Sequence, residues 1–335
     1  MLRTAIAALL AVSALVPAAL ADGGPSPGVL EGGAGVLGAG GAVRYVTVPA
    51  ARSTLLEAVR SRDGRVLRWR ELPAGVGIPL VAYDGTAGGL ARSSRVLVLA
   101  DSFVAPPPRA ESTFRIVDPR TFGYETISLK GDFAFDALSP NGRLLYLIQH
   151  VSRTDRSRYL VRAYDLERRR LLPRAVADRT QRGWVMQGSP VARTASASGR
   201  FVYTLYQNPG GYPFVHALDT ARGVAHCIGL PWTGDQSLFT AMRLALADGG
   251  RTLEAAVPWP RGDRPATLPS FRIDTRTYRL LPPRAPGGFP WWTLSLAALL
   301  SPAAGAIALR RRRASATPRA AAPAGRAPTR AAPAR

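Results

Sequence analysis

A repeat of about 50 residues is the feature that most limits what this chain can fold into. Three segments of the sequence share a short apolar run, a glycine-containing turn, an arginine and a second apolar run. These segments are Asp136 to Tyr146, Arg193 to Tyr203 and Leu244 to Leu253, and Leu90 to Leu99 is a weaker copy. Since short apolar runs separated by turn residues are typical of β-strands, the repeat predicts an all-β chain.

A second landmark follows each of these turns at a similar distance. It is an alternating apolar run that ends in an aspartate, at Asp118, Asp165, Asp219 and Asp274. We expect each carboxylate to accept hydrogen bonds from backbone N–H groups of the turn that it begins. One repeat therefore holds two hairpins, or four short strands, which is the pattern of a β-propeller blade.

The repeats predict that the all-β chain folds as a β-propeller. Five blades are favoured, with residues 45–84 supplying the first, and six or seven are possible if the segment from Thr180 to Ser189 contains strands. A two-sheet β-sandwich is the alternative fold, but it does not explain the period. The 29 prolines and 33 glycines among the 335 residues argue against a helical bundle, because both residue types interrupt helices.

One repeat resembles a known family. The run Ser139-Pro140-Asn141-Gly142-Arg143, followed further on by Tyr164-Asp165-Leu166, resembles the Ser-Pro-Asp-Gly-Lys repeat of bacterial extracytoplasmic β-propellers of the TolB and YVTN type, which are WD40-like. As repeat organisation the resemblance covers residues 86–281, with Asn141 where the family favours aspartate. It implies a fold and no particular activity, because such propellers serve as scaffolds, sensors, peptidase partners and lactonases.

The first 21 residues have the features of a secretory signal peptide. Arg3 precedes an apolar run from Thr4 to Leu15, and Ala19-Leu20-Ala21 is a cleavage site of the Ala-x-Ala type. We predict cleavage after Ala21, so that the rest of the chain is exported. A first transmembrane helix is the alternative, but the apolar run is short for a bilayer and Pro17 interrupts it.

A second apolar segment, near the carboxyl terminus, predicts a transmembrane helix that anchors the protein. Residues 289–309 carry no charge and would form a helix of about 31 Å, which matches the hydrocarbon core of a bilayer. Trp291 and Trp292 would lie at its outer interface, and the block Arg310, Arg311, Arg312 and Arg313 would stay in the cytoplasm. We expect a single-pass protein of the cell membrane with its amino-terminal domain outside. A cell-wall sorting signal is the alternative, but the preceding Leu-Pro-Pro-Arg run lacks the Thr-Gly pair that it requires.

The predicted signal peptide and anchor divide the chain into five parts. Residues 22–41 are rich in glycine and predict a flexible segment, residues 42–283 form the predicted propeller, and residues 310–335 are a predicted disordered tail of arginine, alanine and proline. The net charge is +22, and the tail could contact anionic lipid. Nucleic-acid binding is not expected, because no aromatic residues accompany the tail arginines.

A search for catalytic and metal-binding motifs gives few candidates. His150, His216 and His226 have no metal-ligand spacing, and the single cysteine, Cys227, can form neither an internal disulfide nor a cysteine-based metal site. His226 cannot activate Cys227, because neighbouring side chains on a strand point to opposite faces. We predict no cofactor and no bound metal.

Four acidic residues support the one enzyme hypothesis that the sequence offers. Asp101, Asp132, Asp136 and Asp235 lie near the predicted innermost strands, where carboxylates lining a propeller channel could bind a cation. The alternative function is therefore a propeller hydrolase of the lactonase type. Carboxylates that cap turns would explain the same four residues.

Aromatic residues in loops that contain proline and glycine favour a binding function. These candidate contacts are Trp184, Tyr206, Tyr212, Trp232 and Trp259. On a propeller such loops gather at the two open faces, where Trp and Tyr are common anchors for a peptide or a glycan. The sequence thus predicts a non-catalytic binding or scaffold module for an extracytoplasmic protein, peptide or glycan. Packing between blades is the alternative role of each side chain.

Overall fold

The all-β prediction is confirmed. The computed structural model describes residues 27–30, 32–102, 108–181, 183, 185–259, 265 and 267–283. Within these residues the protein contains 22 β-strands and three short 3₁₀ helices. The helices are Arg179–Gln181, Gln236–Ala241 and Asp248–Gly250.

The strands follow one another along the chain with short connections. In the first half they are β1 (Val29–Leu30), β2 (Val36–Leu37), β3 (Val43–Pro49), β4 (Ser53–Arg60), β5 (Val66–Pro73), β6 (Val76–Pro79), β7 (Leu97–Asp101), β8 (Glu111–Val117), β9 (Tyr124–Lys130), β10 (Phe133–Leu138) and β11 (Leu144–His150). In the second half they are β12 (Arg158–Asp165), β13 (Arg170–Leu171), β14 (Met186–Gln187), β15 (Ser189–Ala195), β16 (Phe201–Gln207), β17 (Phe214–Asp219), β18 (Val224–Gly229), β19 (Arg243–Ala247), β20 (Thr252–Ala256), β21 (Ser270–Asp274) and β22 (Leu280–Leu281).

The strands form five antiparallel sheets, numbered I to V along the chain. Sheet I has the order β2-β3-β4-β5, sheet II β1-β6-β7-β8-β9, sheet III β10-β11-β12-β13, sheet IV β15-β16-β17-β18 and sheet V β19-β20-β21-β22. In addition, β14 pairs with β12. Four consecutive strands per sheet is the connectivity of a propeller blade, so the predicted four-strand repeat unit is confirmed. The segment between residues 180 and 189 adds β14 and no further sheet to the described part of the chain.

Each sheet buries apolar side chains against its neighbours along the chain. Four hydrophobic clusters lie between consecutive sheets. They include Leu56 and Leu97 between sheets I and II, Phe114 and Leu145 between II and III, Tyr159 and Val202 between III and IV, and Val215 and Leu253 between IV and V. Strands such as β10 and β20 are buried along their whole length, because both of their faces are covered.

The two ends of the sheets carry different connections. In each set of four strands, the connections after the first and third strands lie at one end, named here the turn end, because antiparallel strands reverse direction at each connection. The remaining connections lie at the opposite end, named the loop end. Neighbouring turn ends touch: Arg68 Nη2 donates to Pro119 O (2.7 Å), Ser93 N to Pro140 O (2.9 Å) and Tyr146 Oη to Thr220 O (2.8 Å), and the ring centroids of His226 and Tyr278 are 4.3 Å apart.

The described part of the glycine-rich segment, up to residue 41, differs from the prediction that it is flexible. Strand β1 pairs with β6, and β2 pairs with β3. The glycines allow close approach of the backbone to the sheets: a Cβ atom on Gly35, where φ is +62°, would lie 2.0 Å from Tyr45 O. A Cβ atom on Gly77 would likewise lie 2.9 Å from Val29 Cβ. Glycine here permits packing, whereas the composition alone indicated flexibility.

The membrane predictions concern parts of the chain that the structure does not describe. The predicted signal peptide (1–21), transmembrane segment (289–309) and tail (310–335), with Trp291, Trp292 and Arg310 to Arg313, lie outside the described residues. Among the residues that are described, no helix has the length and apolar character needed to cross a bilayer.

The packing role of Gly35 can be tested against a second glycine of the same segment. Gly35→Ala should destabilise the protein by about 3 kcal/mol or more, because the new methyl group meets the backbone and φ is positive. Gly40→Ala is the control, since φ there is +80° and no atom lies near the added Cβ; it should cost about 1 kcal/mol. Chemical unfolding measures both variants, and equal losses would show that the segment does not pack as described.

Candidate functional site: the turn end and its central cleft

The aspartates that end the third strands bind the backbone of the turns that follow. Every one of the four accepts at least one backbone N–H, which confirms the prediction made from the repeat. The bonds are Arg120 N to Asp118 Oδ1 (2.8 Å), Glu167 N and Arg168 N to Asp165 Oδ1 (3.1 and 3.0 Å), Ala221 N and Arg222 N to Asp219 Oδ1 (3.1 and 3.2 Å), and Arg276 N and Thr277 N to Asp274 Oδ1 (3.0 and 2.7 Å).

In sheets III and IV the same carboxylates also bind the arginine of the other turn. Arg143 Nη2 lies 3.0 Å from Asp165 Oδ2, and Arg200 Nη2 lies 2.7 Å from Asp219 Oδ2. The bond from Arg143 lowers the pKa of Asp165 well below its usual value. Burial alone would raise the pKa of Asp219, but the bonds from Arg200 and the turn backbone lower it. These charged pairs hold arginine side chains at the turn end.

A cleft of about 340 Å³ lies at the centre of the turn end. Sheet I contributes Leu37 and Ala39 to its wall, sheet II Gly88 to Arg92, and sheet III Phe135 to Leu138. Sheet IV contributes residues between Arg193 and Gly199. Because the residues of the first turns of sheets II and IV form part of this wall, the cleft opens at the turn end.

A buried ion pair forms the floor of the cleft. Arg193 Nη1 lies 2.7 Å from Asp136 Oδ1, and Arg193 Nη2 donates to Asp136 O (2.8 Å). Both side chains are less than one-tenth exposed, at 7% and 5%. The register of β10 shifts between Phe135 and Ala137, and this irregularity falls at Asp136. In a low-dielectric site each charge needs the other, so the pair fixes sheet III against sheet IV.

An insertion from sheet II crosses to sheet IV beside this pair. After β6 the chain leaves the sheet, and it returns where Gly88 N donates to Pro79 O (2.8 Å). Within the insertion, Tyr83 N donates to Pro190 O (2.9 Å), and Asp84 Oδ2 accepts from Arg193 N (3.1 Å). Hydrogen bonds within the chain therefore already use several of the donors and acceptors at the centre.

The acidic candidates for a lactonase site are dispersed, and each has a partner. Asp136 is the one that lines the cleft, where Arg193 binds it. Asp132 contacts Arg109 Nε and His150 Nδ1 (both 2.9 Å), Asp101 pairs with Arg115, and Asp235 Oδ1 accepts from Ser237 N (2.8 Å). Among the described residues, no group of three or more His, Cys, Asp or Glu side chains could hold a metal ion.

The predicted aromatic contacts do not form one surface. Tyr206 is buried between sheets III and IV, with 1% of its surface exposed, and its ring stacks on Phe214 with centroids 5.0 Å apart. The prediction that Tyr206 is a surface contact was therefore wrong. Tyr212 is 64% exposed at the loop end. Trp232, also at the loop end, is half-buried and packs on Phe239, and its Nε1–H donates to Asp235 O (3.2 Å).

Two further aromatic candidates complete this set. Trp259 is half-buried in the connection after β20, also at the loop end. Trp184 lies outside the described residues. The described loop-end candidates are thus Tyr212, Trp232 and Trp259, and they lie away from the turn-end cleft.

Cys227, which is half-buried, and His216, which is buried, are groups of low reactivity. Burial raises the pKa of the Cys227 thiol to about 12, so the thiolate that a nucleophile requires is not populated. Burial also lowers the pKa of His216 to about 4, so its ring is neutral at neutral pH. These environments agree with the sequence-based interpretation of both residues as packed side chains.

Sequence reasoning did not pair Arg193 with Asp136, although both carried a signal. Strand β10 reads FAFDAL and strand β15 reads SPVARTA, so each contains one charge in an otherwise small or apolar run. A lone acid and a lone base in two predicted buried strands indicate a buried pair, because an unpaired charge in such a place is very unfavourable. The two residues are 57 positions apart in the sequence, so no local pattern indicates that they pair.

The chain was compared with known families, curated proteins and solved structures, and only the solved structures gave matches. No protein-family model and no curated protein matches the chain. Hydrazine synthase of Kuenenia stuttgartiensis is similar with a TM-score of 0.44 and 12% identity, over 79% of this chain and 68% of that one. TolB of Acinetobacter baumannii gives 0.33 and 14%, over 71% and 56%, and the Cps50 (Swd1) β-propeller domain of Myceliophteria thermophila gives 0.38 and 9%, over 75% of each chain. The similar structures include TolB and other β-propellers.

The buried pair at the cleft floor should couple strongly. Asp136→Asn should lower the free energy of unfolding by about 3 kcal/mol, because it leaves the buried Arg193 without a countercharge. Adding Arg193→Gln should recover part of this loss in a double-mutant cycle. Asp63→Asn is the surface control, since its side chain is 44% exposed, and it should change little. Additive effects of the two buried substitutions would contradict the coupling.

The buried His216 should make stability fall as the solution becomes acidic. Its pKa is about 4 in the folded protein against 6.5 when exposed, so between these values only the unfolded chain takes up the proton. Stability is therefore unaffected by this group above about pH 7 and falls by about 3 kcal/mol towards pH 4. His216→Gln should remove this part of the pH dependence in urea unfolding, whereas His226→Gln, at a side chain 44% exposed, should keep it.

Proposed function

We propose that this chain is a membrane-anchored extracytoplasmic β-propeller that acts as a non-catalytic binding or scaffold module for a protein, peptide or glycan. The five chain-ordered sheets support five blades. The uncharged segment 289–309 and the signal features of residues 1–21 support the location.

One observation carries the proposal of binding without catalysis: the ion pair at the floor of the central cleft. A hydrolase of the lactonase type needs carboxylates that are open to a cation or to a water molecule. In this cleft the carboxylate of Asp136 is held by Arg193, and both groups are buried. The remaining wall consists mainly of small and apolar residues, which can accept a ligand by shape.

The cleft should be required for partner binding. Ala197→Trp fills the mouth of the cleft from the first turn of sheet IV, and Ala221→Trp is the control in the other turn of the same sheet, outside the cleft. Partners cross-linked to the full-length protein in intact cells should be lost in the first variant and kept in the second. Protease added to the same cells should remove the domain and spare a small carboxyl-terminal fragment.

Three results would contradict the proposal. If both tryptophan variants retain the same partners while Tyr212→Ala loses them, binding takes place at the loop end. If the purified protein hydrolyses a lactone and EDTA abolishes the reaction, the protein is an enzyme. If the cell-surface protease leaves the domain intact, the proposed topology is wrong.

A further inference from the structure

Arginine is concentrated at the turn end of the molecule. The ten turns there are residues 38–42, 61–65, 91–96, 118–123, 139–143, 166–169, 196–200, 220–223, 248–251 and 275–279. Together they contain thirteen arginines and four acidic residues, and three more aspartates end the adjoining strands. The described connections at the loop end contain six arginines and four aspartates. Among the described residues, the turn end is thus the more basic of the two ends.

Many of these arginines are accessible to a ligand. The exposed side-chain fractions of Arg62, Arg120 and Arg169 are 78%, 82% and 72%, and each also pairs with an acid at the surface, Asp63, Asp118 and Glu125 respectively. Arg95, Arg222 and Arg276 are also exposed, and they belong to sheets II, IV and V. Asp165 and Asp219, in contrast, are buried, with only 2% and 5% of their surface exposed. Each accepts hydrogen bonds from the turn backbone and from a turn arginine. The positive charge is therefore presented outwards while two of its countercharges are covered.

The arginines of the ten turns, named here the basic surface, reach the cleft at Arg92. Arg92 belongs to the cleft wall and packs against Gly199, where an added Cβ would lie 3.1 Å from Arg92 Cβ. The exposed arginines lie on turns of separate sheets, and stacked sheets are about 10 Å apart. Charges spread in this way fit a polymer with repeated negative groups better than a single small anion. Guanidinium groups bind both carboxylate and phosphate oxygens through paired N–H donors.

The aromatic content of the turns argues against single-stranded nucleic acid as that polymer. The ten turns contain only two aromatic residues, Phe122 and Tyr278. Phe122 is 1% exposed, and the ring of Tyr278 is stacked on His226. Proteins that bind single-stranded nucleic acid stack bases on exposed aromatic rings, and this end of the molecule offers no such ring in its turns.

We propose that the turn end binds an anionic polysaccharide, a sugar polymer carrying carboxylate or phosphate groups, across the mouth of the central cleft. This inference rests on the proposed binding function and names its ligand class and its surface. The last described strand, β22, runs from the turn end towards the loop end, so the residues that follow it up to Pro283 leave the basic surface open.

The test compares two charge reversals of equal size in the full-length protein in neutral detergent. Arg95→Glu, Arg222→Glu and Arg276→Glu together alter the turn end. Arg52→Glu, Arg153→Glu and Arg158→Glu together alter three exposed arginines at the loop end and are the matched control. The probes are polygalacturonate, a phosphate-bearing polysaccharide, and dextran as the neutral polymer. Circular dichroism before binding verifies that both variants keep their β-structure.

We expect the unaltered protein to bind an anionic probe and not dextran. Binding should weaken strongly in about 1 M salt, where the screening length is about 3 Å. The turn-end variant should bind about ten-fold more weakly or worse, and the loop-end variant within about two-fold of the unaltered protein.

Several outcomes would overturn the inference. They are equal binding of dextran and the anionic probes, equal losses in the two variants, and tighter binding of single-stranded DNA than of either anionic polysaccharide. If the turn-end variant still captures the same cellular partners through the cleft, the proposed binding function holds and the assignment of an anionic polysaccharide fails. If neither probe nor partner binds, both fail.

Discussion

Burial of both faces of the central strands in sheets III, IV and V, such as β11, β16 and β20, is the constraint on which the rest of the structure depends. Strands such as β10 and β20 have no solvent-exposed face, since all of their residues are buried. Such strands are stable only when other parts of the chain cover both of their faces. Stacking antiparallel four-strand units in this way brings all turns after the first and third strands to one end. The turn end is therefore a consequence of core packing.

The same packing explains the chemistry at the centre. Sheets III and IV bring Asp136 and Arg193 together in a space that excludes water, where either charge alone would be very unfavourable. The insertion from sheet II then binds the backbone of β15 through Asp84 and Tyr83. The centre is consequently a rigid polar contact among three sheets. The cleft lies above this contact, and Asp136, the one carboxylate in its described wall, is paired with Arg193.

Local sequence signals predicted the repeat, because the turns are built from contacts only a few residues apart. The bond from Arg168 N to Asp165 is an example, as it needs nothing beyond the turn itself. Long-range packing was not predictable in the same way. Tyr206 lies in β16, whose central residues are buried on both faces, so alternation gives no indication of which side chains reach a surface. Gly35 was misinterpreted for a related reason, since the atom that excludes a side chain there belongs to Tyr45.

The arginines of the basic surface also affect the stability of the fold through charge repulsion. Thirteen arginines in ten neighbouring turns repel one another, and this repulsion opposes the compact state. Buried Asp165 and Asp219 offset part of it by pairing with Arg143 and Arg200. The side chains of Arg95 and Arg222 are exposed, and among the described residues neither forms an ion pair. A negatively charged polymer at the turn end would relieve the repulsion that they create, and its affinity would depend on salt in the way that screened surface charges require.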